Sequence, residues 1–157
     1  GYDPFTGSPT ARQVRSKQVS VAEPGEKEQK VFELRSQIAR RISERNLSAA
    51  ANLYIELMEL DSEQILPRQY LLDIANQFAG DNRPAESARA YEQFLRHYKT
   101  YEYAEQVELM LGILYSRYLD NPKEAIKYLE SASQRLSDEG QRNMCRQELM
   151  QLRQSGE

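Results

Sequence analysis

The chain has 157 residues, of which 39% are hydrophobic and 29% are charged, and its net charge is −3. A chain of this length fits one domain that buries a core without disulfides or metals, and charges of mixed sign argue against a surface for nucleic acid. No run approaches the about 18 consecutive apolar residues of a membrane span, so we expect no membrane insertion.

Residues 1–27 are predicted to form a flexible N-terminal arm. Gly, Pro, Ser and Thr recur there without a helical or strand period, as in Gly7-Ser8-Pro9-Thr10. Residues 28–157 are instead dominated by Ala, Leu, Glu, Gln, Arg and Lys, which favour helices. The sequence therefore predicts an all-α domain over 28–157.

Caps and helix breakers divide this domain into helices. Asn121-Pro122-Lys123-Glu124 combines a capping Asn, a Pro at the first helical position and a Glu three residues after the cap. Asn82-Arg83-Pro84 is a looser version of the same start, and Gly80 before it suits a helix end. The predicted helices span 29–44, 47–60, 67–79, 84–98, 103–119, 122–136 and 139–154.

A fixed offset of 37 residues relates three parts of the domain. This offset separates Tyr54 from Tyr91 and Tyr91 from Tyr128. It also separates Ala51 from Ala88 and Ala88 from Ala125. Such self-similarity marks a supersecondary unit repeated in tandem, because each unit leaves an apolar face that only its neighbour covers. We therefore expect about three helical hairpins in a right-handed stack, followed from Arg142 by a C-terminal capping helix.

Two irregularities interrupt this register. One extra residue lies between Tyr115 and Ala125, so the third unit also aligns through Ala125, Leu129 and Ala132. The repeat also exceeds a usual period of about 34 residues, and the surplus falls near 63–66 and 100–103, where we expect longer helices.

The repeated residues resemble the tetratricopeptide repeat family over most of the helical domain. Leu111-Gly112 with Tyr115 is similar to the first-helix signature of that family, and Ala50, Tyr54 and Leu57 are similar to its second-helix signature. The proline that usually ends a repeat and the usual tryptophan are absent. The resemblance implies a stack of helical hairpins that binds another protein or a peptide on its concave side.

The candidate contact residues are the positions on the first helices that face away from the second helices. They are Phe32, Arg35, Leu72, Asn76, Leu109, Ile113 and Arg117. Because this set is unusually apolar, we expect a partner helix or extended peptide with apolar anchors, whose backbone bonds to Asn76.

Two other interpretations concern the same residues. Arg35 and Asn76 match in register the residues with which family members hold a C-terminal carboxylate, but Ala39, Leu109 and Ile113 stand where further polar groups are needed. Alternatively, Leu109 and Ile113 are covered within the chain, by the terminal helix or by aromatic residues of the arm.

Patterns typical of enzymes are missing from the sequence. There is no Gly-rich phosphate loop, paired cysteine, His-Glu-x-x-His or nucleophile elbow. His97 falls at a predicted helix end, and Cys145 falls at an apolar repeat position where a packed thiol is favoured. We therefore expect no catalytic residues, metal or cofactor.

The sequence predicts a protein–protein interaction module or scaffold. The alternative is a soluble domain of a larger membrane or cell-envelope protein, joined through the arm, that assists assembly. One cysteine suits reducing and oxidising compartments alike, so the cytoplasm and the cell envelope both stay open, as does the oligomeric state.

Overall fold

The computed structural model describes residues 25–156, and within that range it contains seven α-helices and no strand. The helices are α1 (Glu26–Ser43), α2 (Leu47–Leu60), α3 (Arg68–Gly80), α4 (Pro84–His97), α5 (Ala104–Arg117), α6 (Pro122–Arg135) and α7 (Glu139–Ser155). Every boundary lies within three residues of its predicted place. The predicted all-α class is confirmed.

The predicted arm lies outside the described residues except at its last three positions. Gly25 is the N-cap of α1, and Glu26 and Lys27 belong to the first helical turn. Helix α1 therefore begins at Glu26, two residues before the predicted start of the helical domain.

The helices pack as consecutive hairpins. Helix α1 packs on α2, α3 on α4 and α5 on α6, while contacts of α2 with α3 and of α4 with α5 stack one hairpin on the next. Helix α7 packs on α6 and also touches α5. The predicted stack of helical hairpins with a terminal capping helix is confirmed.

The turn inside each hairpin contains a residue with positive φ. These residues are Arg45 at 65°, Asn82 at 59° and Asp120 at 50°. Asn and Asp adopt this left-handed region more readily than most residues other than Gly. In each case the next residue is the N-cap of the second helix, so one turn geometry recurs in all three hairpins.

The third hairpin is shifted by one residue relative to the first two. Its positive-φ residue follows the second one by 38 residues, whereas the first two are 37 apart. The buried positions of the second helices show the same shift: Ala50, Ser87 and Ala125; Tyr54, Tyr91 and Leu129; Leu57, Phe94 and Ala132.

Tyr128 is therefore not the structural counterpart of Tyr54 and Tyr91. It is only partly buried, and Leu129 occupies the fully buried position instead. The 37-residue tyrosine register is wrong for the third hairpin. The alternative alignment through Ala125, Leu129 and Ala132 is confirmed.

The surplus residues between hairpins form loops, so the expectation of longer helices is wrong. Helix α2 ends at Leu60, and α3 begins only at Arg68. Pro67 disfavours a helical conformation at the preceding residue, Leu66, whose side chain is buried in the core. The second loop, residues 98–103, separates α4 from α5.

Side chains from two helices and from the second loop hold the first of these loops by donating hydrogen bonds to its carbonyl oxygens. The hydrogen bonds run from Arg35 Nη1 to the oxygen of Ile65 at 2.8 Å, from Gln93 Nε2 to that of Gln64 at 3.0 Å and from Tyr98 Oη to that of Leu66 at 2.6 Å. A guanidinium, an amide and a hydroxyl donor thus satisfy backbone carbonyl groups that would be bonded within a helix if the loop were helical.

Helices α5 and α6 approach each other closely at Gly112. A Cβ atom added there would lie 2.5 Å from Cγ and Cδ2 of Leu129. Leu129 is fully buried, so its side chain has little room to move away. The absence of a side chain at Gly112 is therefore a requirement of the third hairpin.

We expect Gly112→Ala to lower the free energy of unfolding by about 1 kcal/mol, because overpacking costs about 1–3 kcal/mol and better helix propensity returns about 1 kcal/mol. Urea denaturation followed by circular dichroism measures the change. Gly80→Ala is the matched control, since nothing lies within 4 Å of an added Cβ there. A Gly112→Ala chain as stable as the Gly80→Ala chain would contradict the close approach.

Candidate protein-binding groove

Leu109 belongs to the core and is not available to a partner. Its side chain is 5% exposed and lies in a cluster with Leu129, Cys145 and Leu149 of α6 and α7. Placing Leu109 in the contact set is therefore wrong, because the terminal helix covers it, as the alternative interpretation held. A substitution at this position would test stability and not binding.

The two predicted arginines are bonded within the chain. Arg35 holds the loop before α3 and also donates to Gln64 Oε1 at 3.2 Å. Arg117 donates from Nη2 to Oε1 of Glu148 at 2.9 Å and from Nε to Oε2 at 3.3 Å. Both guanidinium groups thus have structural contacts, which weakens the resemblance to a carboxylate-binding site.

Two depressions flank Met110 of α5, and together they form the α3–α5 groove. The first has a volume of about 260 Å³, and its lining includes Leu72, Asn76, Tyr103, Gln106 and Met110. The second has a volume of about 410 Å³, and its lining includes Ala79, Pro84, Met110, Ile113 and Tyr118. Met110 lines both, so the two depressions are adjacent.

The groove is uncharged and apolar. No Asp, Glu, Lys or Arg side chain lines either depression, although 29% of the residues are charged. Tyr103, Met110 and Tyr118 are exposed, and they are spaced by seven and eight residues, close to two helical turns. Depletion of charge with enrichment in Tyr and Met is typical of the centre of a protein interface.

Of the predicted contact residues, the structure brings Leu72, Asn76 and Ile113 to this groove. Phe32 is 72% exposed on α1 but does not line it. The side-chain oxygen of Asn76 accepts a hydrogen bond from Tyr91, and its amide nitrogen has no partner among residues 25–156. That nitrogen can still donate to the backbone of a bound segment.

Sequence reasoning missed Tyr103, Met110 and Tyr118. The predicted stripe used positions 109, 113 and 117, and Met110 is one residue away from it. Apolar residues occur all round α5, so hydrophobic periodicity does not separate its buried face from its exposed one. The usable signal was the pair of tyrosines at the two ends of that helix.

A partly buried polar cluster joins α4, α5 and α6. The rings of Tyr115 and Tyr128 are stacked with centroids 6.1 Å apart, and their hydroxyls donate to Oε2 of Glu92 at 2.6 and 3.2 Å. Burial and the charge of Glu92 raise the pKa of both tyrosines well above the usual value. Both tyrosines therefore stay protonated at physiological pH, and the cluster serves packing.

The two residues considered for catalysis lie apart from the groove. His97 is exposed at the end of α4. Cys145 is fully buried, its thiol donates to the oxygen of Leu129 at 3.0 Å, and burial raises the pKa of the thiol. The prediction of a packed thiol is confirmed.

Two further properties apply to residues 25–156. No group of three or more His, Cys, Asp and Glu side chains is placed there to hold a metal ion. None of the helices in that range is long and apolar enough to cross a membrane.

The hairpin stack is similar to a known structure. The crystal structure of PcrH from Pseudomonas aeruginosa matches with a TM-score of 0.50, over 84% of this chain and 98% of PcrH, at 12% sequence identity. The fold is tetratricopeptide-like. At this level of identity the likeness concerns the fold alone. No protein-family model and no curated protein matches the chain.

The buried carboxylate of Glu148 is the contact through which Arg117 and Ser116 attach α7 to α5. Ser116 Oγ donates to Oε2 of Glu148 at 2.6 Å, and the side chain of Glu148 is almost fully buried. Hydrogen bonds from Arg117 and Ser116 hold the pKa of Glu148 below its usual value. The charged form of Glu148 is therefore favoured in the folded state.

We expect Glu148→Gln to lower the free energy of unfolding at pH 7 by about 1–2 kcal/mol, because Arg117 is half-exposed and its contribution is screened. A depressed folded-state pKa stabilises the fold above the ordinary carboxyl pKa, and this stability is lost as pH falls through the depressed value. Urea denaturation at pH 7, 5 and 3 should show the gap to the unmodified chain narrowing at pH 3.

The exposed pair of Glu130 and Arg153 supplies the control, since Glu130→Gln should change stability by no more than about 0.5 kcal/mol. A gap between the Glu148→Gln and unmodified chains that stays constant from pH 7 to pH 3 would exclude the proposed ion pair.

Proposed function

We propose that the chain is a protein-binding module that holds an apolar segment of another protein in the α3–α5 groove. The observation that carries this proposal is the lack of charged side chains in a groove bordered by Tyr103, Met110 and Tyr118. Removing apolar surface from water is the main favourable contribution to most protein–protein association. A contiguous exposed patch of this kind is typical of an interaction site.

The spacing of the exposed side chains favours a helical or extended segment as the ligand. Tyr103 and Met110 lie about 11 Å apart along the axis of α5, and Tyr118 lies about 12 Å further on. An amphipathic helix with apolar anchors every seven residues matches these intervals. The flexible thioether of Met110 adapts to differently shaped side chains, whereas the tyrosine hydroxyls remain in water.

Asn76 supplies the polar contact that such a groove needs. Asn76 lines the first depression together with Leu72, and its amide nitrogen has no partner among the described residues. A single amide donor among apolar side chains fixes the register of a bound backbone without adding much affinity. Asn76 therefore supports the predicted bond to the partner backbone.

We expect Met110→Glu to weaken partner binding at least tenfold, because the new carboxylate would have to be desolvated at the centre of the interface. The full chain, immobilised, is used to recover binding proteins, and quantitative mass spectrometry compares variants. Met150→Glu is the control: Met150 is 57% exposed on α7 and Met110 is 40% exposed, but Met150 does not line the groove.

Proteins retained by the unmodified and Met150→Glu chains should be lost from the Met110→Glu chain. Equal recovery by the Met110→Glu chain, with an unchanged circular dichroism spectrum, would reject the α3–α5 groove as the binding site.

A further inference from the structure

Three tyrosines line the first depression of the α3–α5 groove, which has a volume of about 260 Å³ and also contacts Leu72 and Met110. Tyr91 is almost fully buried, Tyr101 is partly buried and Tyr103 is exposed. The rings of Tyr101 and Tyr103 lie at 77° to each other, with their centroids 5.6 Å apart. The depression therefore offers aromatic surface in more than one orientation to its occupant.

The amide that is free to bond an occupant of this depression is a donor. The hydroxyl of Tyr91 donates to Oδ1 of Asn76, which fixes the orientation of that amide. Burial raises the pKa of Tyr91 to about 12, so this hydroxyl keeps its proton at physiological pH. Gln106, the other amide in the lining, donates from Nε2 to Gln141 at 3.2 Å, and its Oε1 is buried. Nδ2 of the exposed Asn76 is therefore the amide atom that is left to bond a ligand.

Charge complementarity restricts the occupant to an uncharged segment. None of the described Asp, Glu, Lys or Arg side chains lines this depression, so a ligand carboxylate would be desolvated there without a charged partner. The guanidinium carbon of Arg68 lies 5.0 Å from the centroid of the Tyr101 ring. Because that cation already lies over the ring, a ligand cation would be repelled from this end of the depression.

The free donor also restricts the backbone conformation of the occupant. In the middle of a helix the carbonyl oxygens already accept from N–H groups of the same helix. A polyproline II segment makes no internal hydrogen bonds, so its carbonyl oxygens are free to accept from Nδ2 of Asn76. Proline also lacks a backbone N–H, so its burial against apolar rings leaves no donor unpaired. Aromatic-lined grooves are a known way of binding such segments.

We infer that the first depression binds an uncharged, proline-containing segment of a partner protein in the polyproline II conformation. A proline ring lies against Tyr101 and Tyr103, and the carbonyl oxygen of a neighbouring ligand residue accepts from Nδ2 of Asn76. This inference rests on the function proposed for the α3–α5 groove and narrows it, because it selects an extended occupant over a helical one at this place.

The test compares three acetylated and amidated peptides, each titrated into the full ¹⁵N-labelled chain while amide chemical shifts are followed. The first is Gly-Pro-Val-Pro-Pro-Val-Pro-Gly, the second has Ala in place of each Pro, and the third is an amphipathic helix with Leu at every seventh position. The proline peptide should shift the amides of Leu72, Asn76 and Met110. It should bind roughly tenfold more tightly than the alanine peptide.

Two variants test the named contacts. Tyr103→Leu should weaken binding of the proline peptide roughly threefold to tenfold, because it removes an aromatic face and leaves an apolar side chain. Tyr103→Phe, which keeps the ring, is its control and should bind like the unmodified chain.

Asn76→Asp should weaken binding by a similar factor, roughly threefold to tenfold, because a carboxylate oxygen replaces the donor while the bond from Tyr91 is retained. Asn143→Asp is its control, since Asn143 is exposed on α7 and lines neither depression. Each variant should retain the circular dichroism spectrum of the unmodified chain.

The inference would be overturned if the proline peptide bound no more tightly than the alanine peptide, or if neither Tyr103→Leu nor Asn76→Asp weakened it. The peptide comparison uses the unmodified chain, so it does not depend on how the variants fold. If the helical peptide alone shifts amides of the groove and loses binding on Met110→Glu, the proposed function stands and this inference fails. If no peptide shifts the groove and partner recovery is indifferent to Met110→Glu, both fail.

Discussion

The fold depends on the close crossing of the two helices in each hairpin. At these crossings one partner is always small: Ala50, Ser87 and Ala125 on the second helices, and Ala75 and Gly112 on the first helices of the last two hairpins are all buried. In the second hairpin the Ser87 hydroxyl even donates to the carbonyl oxygen of Ala75 at 2.8 Å, which a larger side chain would prevent. Because this crossing determines which face of each helix is buried, it also determines which faces remain for binding.

Local signals in the sequence predicted the helices well, and non-local contacts account for most of what they missed. Asn46 and Asn121 cap their helices as their sequence context indicates, because capping involves only residues within one turn. Arg35 and Arg117 instead bond to groups about 30 residues away, which no local pattern reveals. The extra residues near 63–66 form part of a loop, whereas the sequence predicts a longer helix there. Three residues nearly equal one helical turn, so the period alone does not distinguish a longer helix from a loop.

The candidate site was predicted less well than the fold for a related reason. Helix α5 is covered on one side by α6 and α7 and partly by α4, so it carries apolar residues at nearly every angle. Leu109 and Met110 are equally hydrophobic neighbours, yet one is buried and the other exposed. The packing of α6 and α7 against one side of α5 separates them, and that packing is not visible in the sequence of α5. Leu72 and Ile113 lie at the edge of the core, and their partial burial is compatible with both the core and the groove.

The one-residue offset in the third hairpin shows where the repeat tolerates a change of length. The positive-φ residue, the N-cap and the buried positions of α6 are all displaced by the same single residue, so the turn that ends at Asp120 takes up the extra residue and the buried face of α6 is unchanged. Leu129 fills the buried position that tyrosines fill in the other hairpins, and Tyr128 lies one position before it, in the partly buried cluster around Glu92. The length of such turns can therefore vary while the packing of the helices is conserved, because lengthening a surface loop costs little free energy.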